Sequence, residues 1–218
     1  MAADGITLYG RKTSSNVQKV VWALEELRVP YSQIELGHNF GGLDTPEYRA
    51  MNPNGLVPTL VHGDLTLWES HAILRYLAAS FGAGNLWPEA PKARALADQW
   101  TDWTASHFGP AWISVFAKTE RTKPQFRDKA EIARALAAAN TSFGILDAAL
   151  AKAPFLASDH LTYGDIAAGV SLYRWTSMDI ARAPHPNVDA WHERLKARPA
   201  FVKAVCVNYD VLKNTFGG

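Results

Sequence analysis

The sequence predicts an α/β domain in the order β-α-β-β-β-α followed by an all-α helical domain. Three observations predict it. Short segments with two-residue apolar alternation are confined to the first third of the chain. Beyond residue 90 every periodic segment has helical spacing, with an Ala-biased stretch from Ala130 to Ala153. Between the two, Gly82 to Pro91 places two Gly and two Pro around Leu86-Trp87, a linker that packs by its aromatic. The expected division is residues 1–81, a linker over 82–90, and 91–218.

The elements follow in order. Ile6 and Leu8 alternate between Gly5 and Gly10, a short strand. Ser14, Ser15 and Asn16 are good cap residues, and Val17, Val20, Val21, Leu24 and Leu27 after them trace one helical face, which Pro30 stops. Tyr31 to Leu36 alternates as a second strand, so the order β-α-β implies a parallel pair with a crossover helix. A Gly-rich loop leads to a helical stretch over Pro46 to Met51 and the turn Asn52-Pro53-Asn54-Gly55. Thr59 to His62 and Leu65 to Trp68, joined by Gly63-Asp64, read as a hairpin. Glu69-Ser70 then opens a helix with Ile73, Leu74 and Leu77 inward. In the second part, helices are expected over about Lys92 to Lys118, Gln125 to Lys152, Tyr163 to Ile180, Pro186 to Ala197 and Pro199 to Val207. Gly109-Pro110 should kink the first of these and open a cleft. Thr162 and Asp165 have capping-box spacing, with Asp in the Glu position and a structural role.

Composition bounds the function. The chain has 218 residues, 22 Lys+Arg against 21 Asp+Glu with both signs dispersed, and one cysteine, Cys206. Near-neutral charge gives no reason to expect nucleic acid or an anionic membrane as partner. One thiol forms no internal disulfide and no CxxC pair, which suits a reducing compartment. Met1 to Gly5 shows no basic or apolar leader, and no apolar run approaches membrane-spanning length. A cytoplasmic protein with no membrane or nucleic-acid partner is expected. No metal is expected either: His192-Glu193 lacks a second His four residues after the first, and His62 and His71 form no ligand spacing.

Chemistry concentrates in three segments, each of which also has a plainly structural explanation. Thr13 to Asn16 follows a strand and starts a helix, where unpaired amides and a partial positive charge favour an anion; simple N-capping would need only one of these residues. A bound thiol placed there, with an ordinary pKa near 8.5, is about 3% thiolate at pH 7, and a drop of about two units makes it three-quarters thiolate at a cost of about 2.7 kcal/mol. A hydrogen bond to a charged group supplies about 1.5–3 kcal/mol and a helix terminus about 0.3–1 kcal/mol more, so one serine hydroxyl suffices in magnitude. Val57-Pro58 is either a plain turn or a cis bond that leaves the Val57 backbone free to pair with an extended ligand. Glu69-Ser70 either caps its helix or binds a ligand carboxylate and ammonium.

Together these segments resemble the glutathione S-transferase superfamily over nearly the whole chain. The residues that carry the resemblance are Ser14 through Lys19, Asn52-Pro53-Asn54-Gly55-Leu56-Val57-Pro58, Glu69-Ser70-His71-Ala72-Ile73, Tyr76-Leu77 and Thr162 to Ile166. The pattern Gly-Arg-x-x-Ser-x-Asn-Val-x-Lys resembles a bacterial serine-type branch related to the theta and phi classes. The resemblance implies a thioredoxin-like N-terminal domain, a helical C-terminal domain lining the electrophile site, a cis-proline at Pro58, glutathione as co-substrate and a homodimer serving detoxification. It matches Ser14 to the serine that donates to the glutathione sulfur, with Ser15 and Asn16 as neighbours in reach. It matches Val57 to the backbone partner of the cysteinyl unit, Glu69 and Ser70 to the γ-glutamyl end, and His38 and Asn39 to the glycyl carboxylate. Tyr9 is the alternative hydroxyl at the end of the first strand, and Cys206 lies too late in the chain to be a cysteine nucleophile at the helix start. The expected electrophile wall is Phe40, Trp103, His107, Phe108, Trp112 and Trp175, although helix packing alone accounts for any one of them.

The activity so implied is attack of the glutathione thiol on an electrophilic, apolar or halogenated small molecule. Dehalogenation, peroxide reduction and isomerisation use the same thiolate, and a non-catalytic interaction module shares the fold.

Overall fold

A computed structural model describes residues 5–217; the start at Met1 to Asp4, where no leader is expected, lies outside them. Strands β1 (Ile6–Tyr9), β2 (Tyr31–Ile34), β3 (Thr59–His62) and β4 (Leu65–Trp68) form one mixed sheet in the order β2-β1-β3-β4. β1 pairs parallel with β2, Ile6 opposite Tyr31, and antiparallel with β3, Leu8 opposite Leu60. Helix α1 (Ser15–Leu27) is the crossover that the parallel pair requires, followed later by α2 (Pro46–Met51) and α3 (Ser70–Phe81). Ile6, Leu8 and Leu60 of the sheet are fully buried with Val17, Val20 and Leu24 of α1 and Ile73, Leu74 and Leu77 of α3. That single apolar layer fixes both helix starts at the same end of the sheet.

In the sheet-containing part of the chain, two sequence-based boundaries move. α1 ends at Arg28 rather than at Pro30, because Arg28 turns left-handed and its amide bonds back to Glu25; Pro30 disfavours helix one residue earlier in any case. β2 stops at Ile34 instead of Leu36, since Gly37, with φ of 83°, turns the chain away.

The helical part comprises α4 (Pro91–Trp103), α5 (Gly109–Phe116), α6 (Lys129–Leu150), α7 (Tyr163–Gly169), α8 (Leu172–Ser177), α9 (Pro186–Lys196) and α10 (Pro199–Val205). The expected helix over Lys92 to Lys118 is divided by a π turn at Thr104–Phe108, and a second π turn, Ala117–Arg121, ends α5. Pro110 has no amide hydrogen and its ring needs room, which the widened turn supplies. Gly109 is required there: a Cβ on it would stand 2.7 Å from the Thr104 carbonyl oxygen. α6 starts at Lys129 rather than Gln125, because Asp128 caps the Ala130 and Glu131 amides at 2.7 and 3.1 Å. The segment Tyr163 to Ile180 is two helices, broken where the Ser171 hydroxyl donates to the Ala168 carbonyl at 2.8 Å.

Asp165 is wholly buried and accepts from the Thr162 amide and hydroxyl and from the Leu156 amide. Burial pushes its carboxyl up to about 6. Its work is to start α7.

The two parts meet along α1. Trp22 is buried edge-on against Phe201 of α10, ring centroids 4.9 Å apart, and Arg198 holds both Glu26 oxygens at 2.7 Å. The connecting segment is anchored by Trp87, which stacks on Tyr163. No helix among the described residues is long and apolar enough to cross a membrane.

Candidate active site

β1 delivers the chain to the start of α1 at the edge of a cleft of about 340 Å³, lined on one side by Ser14, Ser15, Asn16 and Val57 and on the other by Trp112, Ile113 and Phe116. Ser14 stands at the N-cap position with extended backbone, yet its side chain makes no capping hydrogen bond. The first helical amide to find an intrahelical acceptor is that of Gln18, bonded to the Ser14 carbonyl at 2.9 Å. Among the described residues the amides of Ser15, Asn16 and Val17 take no partner, nor does the Ser14 hydroxyl, on a residue only 9% exposed. An uncommitted hydroxyl beside a helix start whose first amides are unpaired suits an anion.

Asn16 is oriented from behind. Its Oδ1 accepts from Lys19 Nζ at 3.0 Å and from the Ser70 hydroxyl at 3.4 Å, which leaves both amide hydrogens free. Lys19 is buried and its Nζ also meets His71 Nε2 at 2.8 Å. Burial, only partly offset by Glu69, depresses Lys19 to about 7, and burial together with Lys19 and Arg75 holds His71 down to about 3. His71 is thus a neutral acceptor at any ordinary pH.

Val57 is positioned by the turn before it. Asn52, buried, donates to the Leu56 carbonyl at 2.8 Å and to Thr59 Oγ1 at 3.2 Å, and the Tyr48 hydroxyl donates to the same carbonyl at 2.6 Å. The Val57–Pro58 bond is cis, and the Val57 amide and carbonyl take no partner among the described residues. Gly10, at φ of 143°, lets the backbone pass, since a Cβ there would lie 3.0 Å from Val57 Cβ.

A second cavity, of about 250 Å³, shares Asn16 and Ile113 with the first and is lined by Lys19, Glu69, Ser70 and His71, by Thr104 of the π turn and by Gly109 and Pro110 at the start of α5. Glu69 has a φ of 71°, a strained conformation for a non-glycine residue, which sets its free carboxylate at the mouth. His38 lies on the short turn His38–Phe40 beside Asn39; burial, Arg11 and Arg121 lower its pKa.

The aromatic wall differs from expectation. Of the six residues expected there, Trp112 lines the cleft. Phe108 is fully buried, stacked on Trp103 at 5.4 Å and edge-on to Phe143. A π turn overlays residues five apart rather than four, which pairs Trp103 with Phe108 inside the helical core. His107 is exposed and bonded to Ser106, and Phe40 is 57% exposed away from the cleft. Trp175 stacks on Phe143 at 4.3 Å and lines a separate cavity of about 190 Å³, because its neighbour Arg174 takes the cleft-facing side of α8. The second π turn instead brings Arg121 to the cleft beside Phe116, and Leu212 and Phe216 close it, with the Phe216 amide bonded to the Arg121 carbonyl at 2.8 Å. Tyr9 and Cys206 do not line it.

Sequence reasoning missed Arg11, Arg121, Arg174 and the C-terminal segment, all of which line the cleft. One signal was present for Arg174, a single charge in the otherwise apolar and aromatic run Leu172-Tyr173-Arg174-Trp175. Arg174 is 4% exposed, donates to the Thr13 carbonyl at 2.6 Å, and lies over the Phe116 and Tyr209 rings. Among the described residues, no group of three or more His, Cys, Asp or Glu is arranged to hold a metal ion.

Family models described as glutathione S-transferase N-terminal and C-terminal domains match residues 8–85 and 129–194. The chain belongs to the glutathione S-transferase family. It is 42% identical over 204 residues to the glutathione S-transferase GstB of Escherichia coli strain K12, spanning 93% of this chain and 98% of that protein. It is 30% identical over 207 residues to the disulfide-bond oxidoreductase YfcG of the same strain, 92% of this chain and 94% of that one. A crystal structure of the theta class glutathione S-transferase from Xanthomonas axonopodis pv. citri, with glutathione bound, superposes with a TM-score of 0.91 at 47% identity, covering 94% of this chain and 99% of that one. The resemblance drawn from the Ser14, Asn52-to-Pro58 and Glu69-Ser70 segments is borne out, and with it the α/β-then-helical architecture of this glutathione S-transferase.

Proposed function

We propose that this glutathione S-transferase lays glutathione across the two connected cavities, keeps its thiol ionised at Ser14, and directs the sulfur at an electrophilic carbon under Trp112 and Phe116. The observation that carries this reading is the Ser14 hydroxyl, without a partner among the described residues, at a helix start whose first amides are likewise unpaired. In the reaction the thiolate forms a carbon–sulfur bond as the leaving group departs with its electron pair. Ser14 donates to the sulfur, the α1 amides and the Asn16 side chain add positive potential, and Ser15 at the first helical position is the nearest substitute hydroxyl. The free Val57 amide and carbonyl pair with the cysteinyl unit, the loop being shaped by Pro58. Glu69 takes the γ-glutamyl ammonium and Ser70 its carboxylate. His38 and Asn39, with Arg11 beside Gly37, serve the glycyl carboxylate.

Residues 1–81 thus form the glutathione-binding domain, 82–90 the linker and 91–218 the domain that lines the electrophile site. Family membership supports a homodimer, and the lone Cys206 suits the cytoplasm. The test is an ultraviolet titration of glutathione bound to the enzyme. The bound thiol should ionise about two units below its free value near 8.5; an unshifted titration refutes the assignment.

A further inference from the structure

Lys19 is costly to keep where it stands. It is 7% exposed and forms no salt bridge among the described residues. Its Nζ donates instead to two neutral acceptors, Asn16 Oδ1 at 3.0 Å and His71 Nε2 at 2.8 Å. The charges around it come from α3. Glu69 only partly offsets the burial that lowers the lysine to about 7, and Arg75, which acts on His71, is engaged by Asp98 and Asp102 of α4. A methionine of similar volume would fill the same space without the desolvation cost of an ammonium. What the ammonium does, and methionine does not, is donate hydrogen bonds while accepting none.

That one-way chemistry decides how Asn16 faces. An asparagine amide can turn over and exchange Oδ1 with Nδ2. Turned over, it would set amide hydrogens against an ammonium. As found, Oδ1 accepts from Lys19 and from the Ser70 hydroxyl at 3.4 Å, and both donors line the second cavity. Asn16 also lines the first cleft beside Ser14 and Ser15, and its Nδ2 takes no partner among the described residues. His71 gives the ammonium a second anchor, on α3. We propose that Lys19 is a positioning residue for the reaction: by holding the Asn16 oxygen it turns the Asn16 amide hydrogens toward the glutathione sulfur, so that the thiolate has a side-chain donor from Asn16 as well as one from Ser14. With the amide turned over, the same side chain would present Oδ1 to the sulfur and disfavour the thiolate.

The proposal rests on the thiolate site of the preceding section, and a double-mutant cycle separates the two. Thiolate absorbance against pH, at saturating glutathione, is recorded for the native enzyme, Lys19→Met, Asn16→Ala and the double variant. Each single variant should raise the pKa of the bound thiol by about one unit, and the double variant by about one unit rather than two, because Lys19 acts through Asn16. An unchanged titration in Lys19→Met overturns the proposal while leaving the thiolate site standing. Additive effects in the double variant do the same, since they would show the lysine charge acting on the sulfur directly. An unshifted thiol in the native enzyme overturns both. A second measurement holds even where Lys19→Met does not fold: in the native complex, the side-chain amide proton resonances of Asn16 should move with the titration of the bound thiol. Resonances that stay fixed through that titration overturn the proposal.

Discussion

Replacing Ser14 with Ala removes one donor from the anion site and nothing from its scaffold, because the Ser14 side chain caps no amide and the Ser14 carbonyl still accepts from Gln18. The loss is one hydrogen bond to a charged sulfur, about 1.5–3 kcal/mol, or a rise of about one to two units in the pKa of bound glutathione. The depression should not vanish. The three free amides of α1 and the Asn16 side chain stay where they are, and a helix terminus alone keeps about 0.3–1 kcal/mol. Glutathione affinity measured below pH 6, where the thiol is protonated, should change little, since Val57, Glu69 and Ser70 are untouched. The assay is thiolate absorbance against pH in the complex, with equilibrium dialysis for affinity. An unaltered titration in Ser14→Ala would refute the argument and transfer the role to Ser15 or Asn16.

Other expectations follow from the surrounding geometry. Asn52→Ala strips two donors from the Leu56–Thr59 loop and should cost about 1–3 kcal/mol in urea unfolding while raising KM for glutathione more than it lowers kcat; equal effects on both would show that the loop is not specific to binding. Lys19 is depressed to about 7 in the fold, whereas the unfolded chain keeps an ordinary lysine near 10.4, so between these values the unfolded state binds more protons and stability rises with pH. Between pH 7 and 9 that rise should be about 2 kcal/mol larger in the native protein than in Lys19→Met; identical slopes would place the lysine in water. Gly109→Ala forces a methyl to within 2.7 Å of the Thr104 carbonyl oxygen and should destabilise by about 1–3 kcal/mol, with an unchanged melting temperature contradicting the π-turn geometry.

Much of this was legible in the sequence because the signals were local. Cap residues, the Gly63-Asp64 turn and apolar periodicity placed the strands and α1 to within a few residues, since each depends on neighbours in the chain. That Ser14, Val57 and Ser70 line the two cavities was legible for the same reason, each standing at a junction between elements. The electrophile wall was not. Aromatic residues in α4 and α5 face the cleft or the core according to whether a turn is α or π, and that choice is set by Gly109-Pro110 meeting Thr104 through space. Trp103 and Phe108 therefore pack together while Phe116 and Arg121 share the cleft. Arg174 lies 161 residues from the Thr13 carbonyl it holds, and no spacing rule reaches across that distance. Phe216 reaches the cleft only because it pairs with Arg121, in a segment that reads as an unremarkable tail.

The most direct measurement is a crystal structure of the enzyme with glutathione bound. The account predicts the sulfur within hydrogen-bonding distance of Ser14 Oγ, at the start of α1, with the cysteinyl backbone paired to Val57. A sulfur turned to open solvent, with no contact to Ser14, Ser15 or Asn16, would contradict it.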